Sequence, residues 1–438
     1  MRAARKICLI LSLIMVLPLI YGLLTSNITM WQAAAVSFCV LGSVGIGGVQ
    51  ALKNYQYTAW IITAVVSALI YPAAFLKWGT FDLRNKWLIL GVVQMVMFGM
   101  GIQMSLKDFN GLGSTGKGVL IGLTCHFTIM PLTGLLLTKL FHFDPEIAAG
   151  VILIGSCSSG LASNVMVYLA RANLVLSVTV TAMATMAAPF LTPLLMKLLA
   201  GTLIQIKFIT MMMEIINIVL VPIGAALLHD YLKRASRKQQ NIIYGIAIGC
   251  AIYLLMLPLG LYHNMESRFS EAGMQSAGVF GFLVGAFVVG TGYHQLYRMK
   301  PKIDSYIPYL SMFGIIYFTA VTTAAGRENL LHVGLLLFLA SVFHNSAGYF
   351  FGYWLSRVFG LDKNSSRTVA FEVGLQNGGM ASGLAGTMGK LATVGLAAAV
   401  FSPWMNISGS VLANYWRKRP VYDDLPKMKV LKSKEYLQ

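Results

Sequence analysis

Apolar stretches long enough to cross a membrane, each of roughly 20 residues, follow one another along almost the whole chain. Short polar breaks separate them, and this pattern predicts an all-α, polytopic membrane protein with about 14 transmembrane helices. The first stretch follows a basic N-terminus and is interpreted as a retained helix, because it lacks the small residues of a signal-peptide cleavage site. The predicted spans are 7–25, 30–51, 57–76, 87–106, 118–139, 147–170, 173–200, 208–229, 241–262, 273–292, 305–325, 330–357, 367–388 and 392–415.

Composition agrees with a chain that lies in lipid. Hydrophobic residues make up 57% of the 438 residues and charged residues 11%, whereas a soluble domain carries about 25% charged residues. So few charges cannot cover the surfaces of the two or three soluble domains that such a length would form. An ordinary soluble enzyme is therefore excluded. The five cysteines are scattered within apolar runs and indicate neither a disulfide framework nor a zinc site.

Basic residues are distributed unevenly between the two sides of the predicted membrane. With both termini on one side, 24 of the 33 lysines and arginines lie there and 9 on the other side. The positive-inside rule therefore predicts cytoplasmic termini in a multi-pass protein of the cell membrane. Lys77, Arg84 and Lys86 are a local exception in a predicted outer loop. The asymmetry also explains the net charge of +18, and without a basic water-facing domain we expect no nucleic-acid partner.

Two acidic residues lie well inside predicted spans, where a carboxylate is costly and usually faces a cavity or an ion pathway. Glu214 stands in a methionine- and isoleucine-rich run and is interpreted either as a helix-contact residue or as a functional one. Glu372 lies in the segment 371–383, which also carries Gln376 and Asn377. This concentration of polar side chains predicts a functional site at Glu372.

A second unusual segment, residues 155–164, is dense in glycine and serine. Small and hydroxyl residues promote unwinding of a transmembrane helix, and the carbonyl groups that unwinding frees need another partner. In transporters a cation bound at a discontinuous helix is often that partner. Close helix packing through small residues is the alternative interpretation for either segment alone.

The two unusual segments occupy corresponding places in two halves of the chain. Each follows a long span that contains a histidine, His126 or His344, and precedes one further long span. The predicted spans divide into seven plus seven with the second half beginning near residue 205. An odd number of spans repeated once gives an inverted repeat, and paired breaks in such repeats point to the binding site of a secondary transporter. ATP-driven pumping is not expected, because the sequence contains no Gly-x-x-x-x-Gly-Lys-Ser/Thr loop.

At these residues the sequence resembles the bile acid:sodium symporter family. The resemblance covers most of residues 57–232 and 305–415, whereas residues 1–50 and a stretch in the middle of the chain are additional. The similar stretches are FGMGIQMSLKDF (98–109), ASNVMVYLAR (162–171), LSVTVT (176–181), LTPLL (191–195) and EVGLQN (372–377).

This resemblance implies a ten-helix core made of two inverted five-helix repeats, in which the fourth and ninth helices are broken and cross near the middle of the membrane. Residues 147–170 and 367–388 are then the crossing helices. The implied organisation is an extra N-terminal hairpin (1–56), a first core repeat (57–204) and a second repeat (205–438) that ends in a basic cytoplasmic tail (416–438).

Two positions are open for a second extra hairpin. If the additional helices are 208–262, each half of the chain is a hairpin followed by a five-helix repeat. Residues 217–228 themselves resemble the sixth core helix, however, and the inserted hairpin then covers about 241–292. We favour the latter interpretation because the local match is direct.

The motif matches imply a first sodium site with five side chains. It is formed by Ser163, Asn164, Ser177, Thr181 and Glu372. The spacing of Ser177 and Thr181 agrees with this site, since residues i and i+4 lie on one face of a helix. All five side chains offer oxygen, as a hard cation requires.

The matches also imply a second sodium site, which would use Glu372, Gln376 and the main-chain carbonyl groups of Val373 and Leu375. Asn377 lies beside these ligands and is the expected substrate contact.

Several residues depart from the family pattern. His126 stands where the family supplies a glutamine to the second sodium site, and imidazole is a poor sodium ligand that titrates near neutral pH. The second sodium site is therefore weakened, lies elsewhere, or has its ion partly replaced by a proton. The alternative is that His126 only donates a hydrogen bond within the bundle. Ser158, Ser159 and Leu161 stand where proline, glycine and threonine are common. Leu161 removes a hydroxyl beside the expected substrate, so that His126 and Leu161 join Asn377 as candidate substrate contacts while the substrate's identity stays open.

Charge arithmetic predicts the coupled substrate. Two sodium ions against one carboxylate leave a buried charge of +1, which is costly until an anion binds, and the N-termini of the broken helices add to the attraction. We expect a secondary transporter, not an enzyme, that couples sodium to symport of a small or amphipathic organic anion. The alternatives are a proton-assisted carrier that uses His126, a non-transporting receptor or channel, and a membrane-embedded enzyme, for which no catalytic cluster is apparent. Homodimer formation is left open.

Overall fold

The structure is a computed structural model that describes residues 2–50, 52–261, 265, 267–268 and 270–421. Within these residues the regular structure is helical except for a short antiparallel hairpin, and the predicted all-α class is confirmed. Most of the predicted basic tail lies outside the described residues. The hairpin strands are β1 (Lys77–Trp78) and β2 (Phe81–Asp82).

The described helices are numbered in chain order. The first eight are α1 (Arg2–Ile14), α2 (Val16–Leu24), α3 (Ile28–Ile46), α4 (Gln56–Ile70), α5 (Pro72–Leu76), α6 (Lys86–Ile102), α7 (Leu112–Phe141) and α8 (Pro145–Ser156). The next six are α9 (Leu161–Ala170), α10 (Leu174–Leu199), α11 (Phe208–Ile215), α12 (Val221–Leu232), α13 (Arg237–Met256) and α14 (Glu271–Met299). The last five are α15 (Ile307–Ala325), α16 (Arg327–Val358), α17 (Lys363–Gly374), α18 (Gly378–Thr387) and α19 (Val394–Arg417). Short turns of 3-10 helix lie at Lys53–Tyr55, Leu106–Gly111 and Pro301–Ser305, and π-helical turns at Ile216–Leu220 and Leu257–Leu261.

Polar residues at the ends of the apolar runs begin several of these helices. The side chain of Asn85 accepts a hydrogen bond from the amide of Trp87 at the start of α6, and Asn173 caps α10 in the same way. Ser236 and Gln239 form a reciprocal capping box at the start of α13. Each cap satisfies an amide that the first helical turn leaves without a partner.

Ten helical segments of the described residues are long and apolar enough to cross a membrane. The predicted spans 57–76 and 87–106 fall on α4 and α6, which are shorter apolar helices. The spans 147–170 and 367–388 fall on helices that are interrupted near their middles. Multi-pass membrane character is thus confirmed, whereas the number of 14 spans stays a prediction.

Both interrupted helices break within the segments that the sequence singled out. Residues 157–160 separate α8 from α9, and residues 375–377 separate α17 from α18. The two connecting segments meet as an antiparallel bridge in which Ser159 lies opposite Gln376. The breaks therefore cross at one point of the bundle.

Main-chain hydrogen bonds hold this crossing together. The amide of Gly160 donates to the carbonyl of Leu375 across 3.2 Å, and the amide of Asn377 donates to the carbonyl of Ser158 across 2.8 Å. In a membrane, backbone groups freed by a break have no water to bond. Each broken helix thus satisfies backbone groups of the other.

The broken helices lie at the centre of the bundle. Residues 365–374 of α17 and residues 147–156 of α8 are buried throughout. α16 packs so closely along α17 that a Cβ atom at Gly348 would lie 2.7 Å from the Cα of Gly374. Only glycine permits two helices to approach to this distance.

A second close contact joins α6 to α18. A Cβ atom at Gly383 would lie 2.6 Å from Cγ2 of Val93, and one at Gly386 would lie 2.6 Å from Cγ2 of Ile89. Because Gly383 and Gly386 have no side chains, α6 and α18 pack in direct contact here.

Other helices lie at the periphery. Only 6% of the apolar window in Arg237–Leu259 is buried, and Ile248, Ile252 and Leu255 of α13 are exposed. α13 packs on α14, and α14 packs on α12, so this hairpin is attached to the bundle through α14. In a multi-pass membrane protein, exposed apolar side chains such as these face lipid.

Candidate functional site

The last turn of α17 places Glu372 at the crossing. This helix begins where the side chain of Asp362 accepts a hydrogen bond from the amide of Ser365, and it ends at Gly374, two residues after Glu372. Because the helix stops there, the carboxylate lies beside the break and faces α10. Glu372 has no solvent-exposed surface, and in a low dielectric an isolated carboxylate is costly.

Hydroxyl groups surround the carboxylate of Glu372. The Oγ atom of Ser177 lies 2.5 Å from Oε1. Thr181, one turn further along α10, lies 2.9 Å from Oε2, and Ser159 of the first break lies 2.8 Å from the same oxygen. These neighbours carry no net charge, so they orient the carboxylate without neutralising it.

Asn164 and Ser163 in the first turn of α9 complete the cluster. The Oδ1 atom of Asn164 lies 2.7 Å from the hydroxyl of Ser177 and 3.2 Å from that of Thr181. The hydroxyl of Ser163 donates to the carbonyl of Gly160 across 2.7 Å and lies 3.4 Å from the hydroxyl of Thr181. The structure therefore brings together all five side chains that the resemblance implies for the first sodium site.

The cluster has more acceptor oxygens than protons to fill them. The single proton of Ser177 is within reach of both Glu372 and Asn164, and the single proton of Thr181 faces the same two residues. A hydroxyl donates one hydrogen bond at a time, so when Glu372 is ionised at least one close oxygen pair lacks a proton. A cation at the centre would relieve this excess of lone pairs. Carboxylate, hydroxyl and amide oxygens beside a discontinuous helix are typical of a sodium site.

The groups implied for the second site also lie at the crossing, but they bond one another. The side-chain amide of Gln376 donates to the carbonyl of Val373 across 2.6 Å, and its buried Oε1 has no hydrogen-bond partner among the described residues. The carbonyl of Leu375 accepts the bond from Gly160 that belongs to the backbone crossing. Both implied main-chain carbonyl ligands thus already accept a hydrogen bond within the protein.

His126 lies between the two broken helices. Its Nδ1 atom is 2.9 Å from the carbonyl oxygen of Glu372, and its Nε2 atom is 2.8 Å from the carbonyl oxygen of Cys157. The imidazole is fully buried on α7. Both ring nitrogens face main-chain carbonyl groups, so this side chain adds no oxygen ligand where the family supplies glutamine.

Comparison with known proteins identifies the family. The sequence model of the Sodium Bile acid symporter family matches residues 90–267. The uncharacterized sodium-dependent transporter YocS of Bacillus subtilis is 32% identical over 82% of this chain and 90% of its own length. The chain belongs to the sodium/bile acid symporter family.

Other members of the family are more distant. The probable sodium/metabolite cotransporter BASS1 of Arabidopsis thaliana chloroplasts is 29% identical over 83% of this chain and 73% of its own length. The human ileal sodium/bile acid cotransporter is 26% identical over 65% of each chain. The family assignment made from the motifs is thus confirmed, and as a member this chain is a sodium-coupled membrane transporter.

The two remaining candidate substrate contacts of this symporter-family protein begin the second halves of the broken helices. Asn377 caps α18, since its Oδ1 atom accepts a hydrogen bond from the amide of Met380 across 3.0 Å. Its Nδ2 atom lies 3.7 Å from the sulfur of Met100 on α6. Leu161 is the first residue of α9 and is partly buried against the core. Asn377 is therefore placed where a broken helix meets α6.

Glu214 and His344 lie apart from the carboxylate cluster. Glu214 accepts a hydrogen bond from the hydroxyl of Thr387 across 3.0 Å, which joins α11 to the end of α18. His344 lies 3.0 Å from the carbonyl oxygen of Met130 through its Nε2 atom. Glu214 thus makes a contact between two helices, which agrees with one of the interpretations that the sequence allowed.

Ser159 is the residue of the cluster that sequence reasoning did not assign to the site. The family pattern marks this position only as a departure, since glycine is common there. The available signal was the run of hydroxyl residues in segment 155–164, which placed Ser159 on an unwound stretch. Its contact with Glu372 depends on the crossing of two segments that are far apart in the chain.

Proposed function

We propose that this protein is a sodium symporter that carries a small or amphipathic organic anion across the cell membrane by alternating access. The observation that carries the proposal is the buried carboxylate of Glu372, which lies among uncharged hydroxyl groups at the crossing of two broken helices. An ionised carboxylate in this setting requires a cation. Sodium supplies it, and the family supports this choice of ion.

The sodium ion binds within the five side chains of the first site together with Ser159. Glu372 contributes the charge, Asn164 contributes a carbonyl oxygen, and the hydroxyl groups contribute lone pairs once their protons turn outward. The excess of acceptor oxygens described above favours binding without a large rearrangement of the side chains.

One sodium ion, rather than two, is bound in each transport cycle. The carbonyl groups of Val373 and Leu375 already accept hydrogen bonds. The ring of His126 contacts the carbonyl of Glu372 instead of offering an oxygen. A carbonyl oxygen that accepts one hydrogen bond keeps a second lone pair, and Oε1 of Gln376 has no partner among the described residues. The missing oxygen at His126 is therefore what argues against a complete second site.

The anion binds at the half-helix N-termini beside the sodium ion. α9 and α18 both begin at the crossing, and the N-terminus of a helix carries a partial positive charge of about half a unit. Sodium with Glu372 forms a neutral pair, so these two helix ends provide the attraction for a negative group. Asn377 and Leu161 begin the two helices, and Met100 of α6 lies across from Asn377.

Transport requires that the crossing become accessible from each side in turn. The helices that meet at the crossing form one unit, linked by backbone hydrogen bonds. This unit meets α6 at the close contact between α6 and α18. We assign the alternation to movement of the crossing unit relative to α6, with the contact formed in one state and separated in the other.

We propose the arrangement that the sequence predicts. Residues 57–204 and the second half of the chain from residue 205 form two inverted repeats, with both termini in the cytoplasm. The packing of α12 on α6 supports its place in the core, and the peripheral α13–α14 pair fits a hairpin inserted at about residues 241–292.

Uptake into proteoliposomes tests the proposal. We expect an inward sodium gradient to drive accumulation of at least one member of a panel of labelled carboxylates and bile acids, and an equal potassium gradient to drive none. Glu372→Gln should abolish accumulation. Equal uptake in sodium and potassium, or sodium-driven uptake that survives in Glu372→Gln, would remove the proposed coupling.

A further inference from the structure

An apolar cavity of about 660 Å³ lies between the α13–α14 hairpin and the rest of the bundle. α6 and α12 form one wall, and α13 and α14 form the other. Its lining includes Phe98, Pro222, Leu254 and Phe282, and none of the described lining residues has a charged side chain. The cavity falls within the range of about 300–1,000 Å³ that is typical of small-ligand sites.

The cavity exists because α14 diverges from α12. The two helices are close at Gly290, where a Cβ atom would lie 2.5 Å from the carbonyl oxygen of Ala225. Nearer the start of α14, a Cβ atom at Gly278, Gly281 or Gly285 would meet no atom within 4 Å. These three glycines line the cavity and contribute no side-chain volume to it.

The lining determines what can fill this space. The polar side chains of the described lining are those of Trp87, Gln94 and Tyr253, and Gln94 already donates a hydrogen bond to the carbonyl of Asn217. The remaining side chains are apolar and do not provide the two or more polar partners that water requires. The walls belong to the segments Phe208–Leu232 and Ser276–Met299, which are long and apolar enough to cross a membrane. The cavity is therefore located at the depth of lipid hydrocarbon, and a lipid acyl chain matches both its polarity and its size.

Positive charge lies at one end of the cavity. Trp87 lines that end and is largely exposed, and the exposed Lys86 directly precedes it. Lys77 begins the strand hairpin that precedes Lys86 in the chain, and Arg84, which follows the hairpin, pairs with Asp82. Together with Glu214, whose carboxylate interacts electrostatically with Lys86, these charged residues have a net charge of +1. A tryptophan with neighbouring basic residues is typical of the headgroup level of a membrane. On the outer side, where the sequence places this loop, a basic residue attracts the phosphate group of an anionic lipid through its charge.

We propose that this cavity is a binding site for one anionic phospholipid. An acyl chain fills the space beside Gly278, Gly281 and Gly285, and the phosphate group lies near Lys86 and Lys77. The lipid joins the hairpin to the transport bundle. This site is separate from the sodium site, and the proposal is independent of the transported substrate.

Native mass spectrometry of purified protein tests the acyl-chain contact. After reconstitution with equal amounts of phosphatidylglycerol and phosphatidylcholine and extraction in mild detergent, we expect one retained phosphatidylglycerol per chain. Gly281→Leu fills the cavity and should lower retention about tenfold or more. Gly292→Leu is the matched control, because Gly292 lies on the same helix, has open space at its Cβ and does not line the cavity. Retention by Gly281→Leu equal to that of Gly292→Leu would overturn the proposal.

A charge variant tests the headgroup contact. Lys77→Ala combined with Lys86→Ala should remove the preference for phosphatidylglycerol over phosphatidylcholine, whereas Lys207→Ala, at another exposed lysine, should keep it. Retention of a free fatty acid in place of phospholipid, or an unchanged preference in the double variant, would contradict the assigned ligand. A sodium-dependent rise in melting temperature that persists in every variant shows that each one is folded.

Discussion

The carboxylate of Glu372 and the hydroxyl of Ser177 lie 2.5 Å apart, although 195 residues separate them along the chain. The same hydroxyl lies 2.7 Å from Oδ1 of Asn164. The hydroxyl of Ser177 has one proton and can donate it to only one of these two oxygens. The strength of the two contacts therefore depends on whether a cation lies among the three oxygen atoms.

Replacement of Glu372 by glutamine should abolish stabilisation by sodium. A ligand at 100 times its Kd stabilises the folded state by about 2.7 kcal/mol, so we expect the melting temperature of the native protein to rise by several degrees when sodium replaces potassium. Glu372→Gln should show no such rise, because the neutral amide does not attract the ion. Thermal unfolding in the two salts measures the effect. Glu328→Gln, at an exposed position, is the control, and an equal sodium shift in both variants would contradict the assignment.

Ser159→Ala should lower the affinity for sodium. Its hydroxyl lies beside the Glu372 carboxylate, where its oxygen is one of the ligands proposed for sodium, and the loss of one polar interaction with a charged group is worth about 1.5–3 kcal/mol. We therefore expect the apparent Kd for sodium to rise by about tenfold or more. Titration of the thermal shift with sodium measures it. Ser156→Ala removes a buried hydroxyl that donates to Ile152 within its own helix and should keep the native affinity. Identical values for the two variants would exclude Ser159 from the site.

His126→Gln should add a sodium ion to the transport cycle. The native protein is expected to show hyperbolic dependence of uptake on sodium, with a Hill coefficient near 1. The glutamine carbonyl provides the oxygen that imidazole lacks, so the coefficient should exceed 1 in the variant. Initial rates of uptake at varied sodium concentration measure it. His344→Gln, another buried histidine of the bundle, should leave it unchanged. A native coefficient near 2 would show that a second ion binds without this substitution.

Gly383→Leu should stop transport while leaving sodium binding intact. A Cβ atom at this position would lie 2.6 Å from Val93, so a larger side chain forces α6 and α18 apart at a cost of about 1–3 kcal/mol. A transporter held in one state cannot complete a cycle, although the carboxylate cluster is undisturbed. Uptake and the sodium-dependent thermal shift are measured on the same preparation. Gly245→Leu, which has open space at its Cβ on α13, should transport normally. Native uptake rates in Gly383→Leu would show that the contact does not need to re-form during transport.

The sequence alone was sufficient to predict the class of protein and most of the residues in the carboxylate cluster. Hydrophobic length predicts spanning helices directly, and the run of small and hydroxyl residues marked the break that residues 157–160 form. Ser177 and Thr181 could be placed on one face because helical spacing is a local property. The predicted residues of the first site were therefore found together.

Tertiary contacts account for what the sequence did not predict. The span expected to end at residue 292 continues to Met299 as α14, because two of the polar residues in this last part, Tyr293 and His294, contact other segments of the chain. The Nδ1 atom of His294 lies 3.2 Å from Nδ1 of His229 on α12. The span expected over 57–76 stops at Ile70, where Pro72 begins a separate short helix. The role of Ser159 likewise depends on a partner segment that local pattern cannot identify.

The bridge between Ser159 and Gln376 also determines how this region can change during evolution. Its hydrogen bonds come from main-chain atoms of Ser158, Gly160, Leu375 and Asn377, so they tolerate many side chains at these positions. Proline at residue 160 or 377 is excluded because it has no amide hydrogen to donate. A residue inserted into or deleted from either break would shift the pairing by one position and turn the ligands away from one another. We therefore expect relatives to differ freely in the side chains of the breaks, and thereby in ion and substrate preference, while the number of residues in each break stays constant.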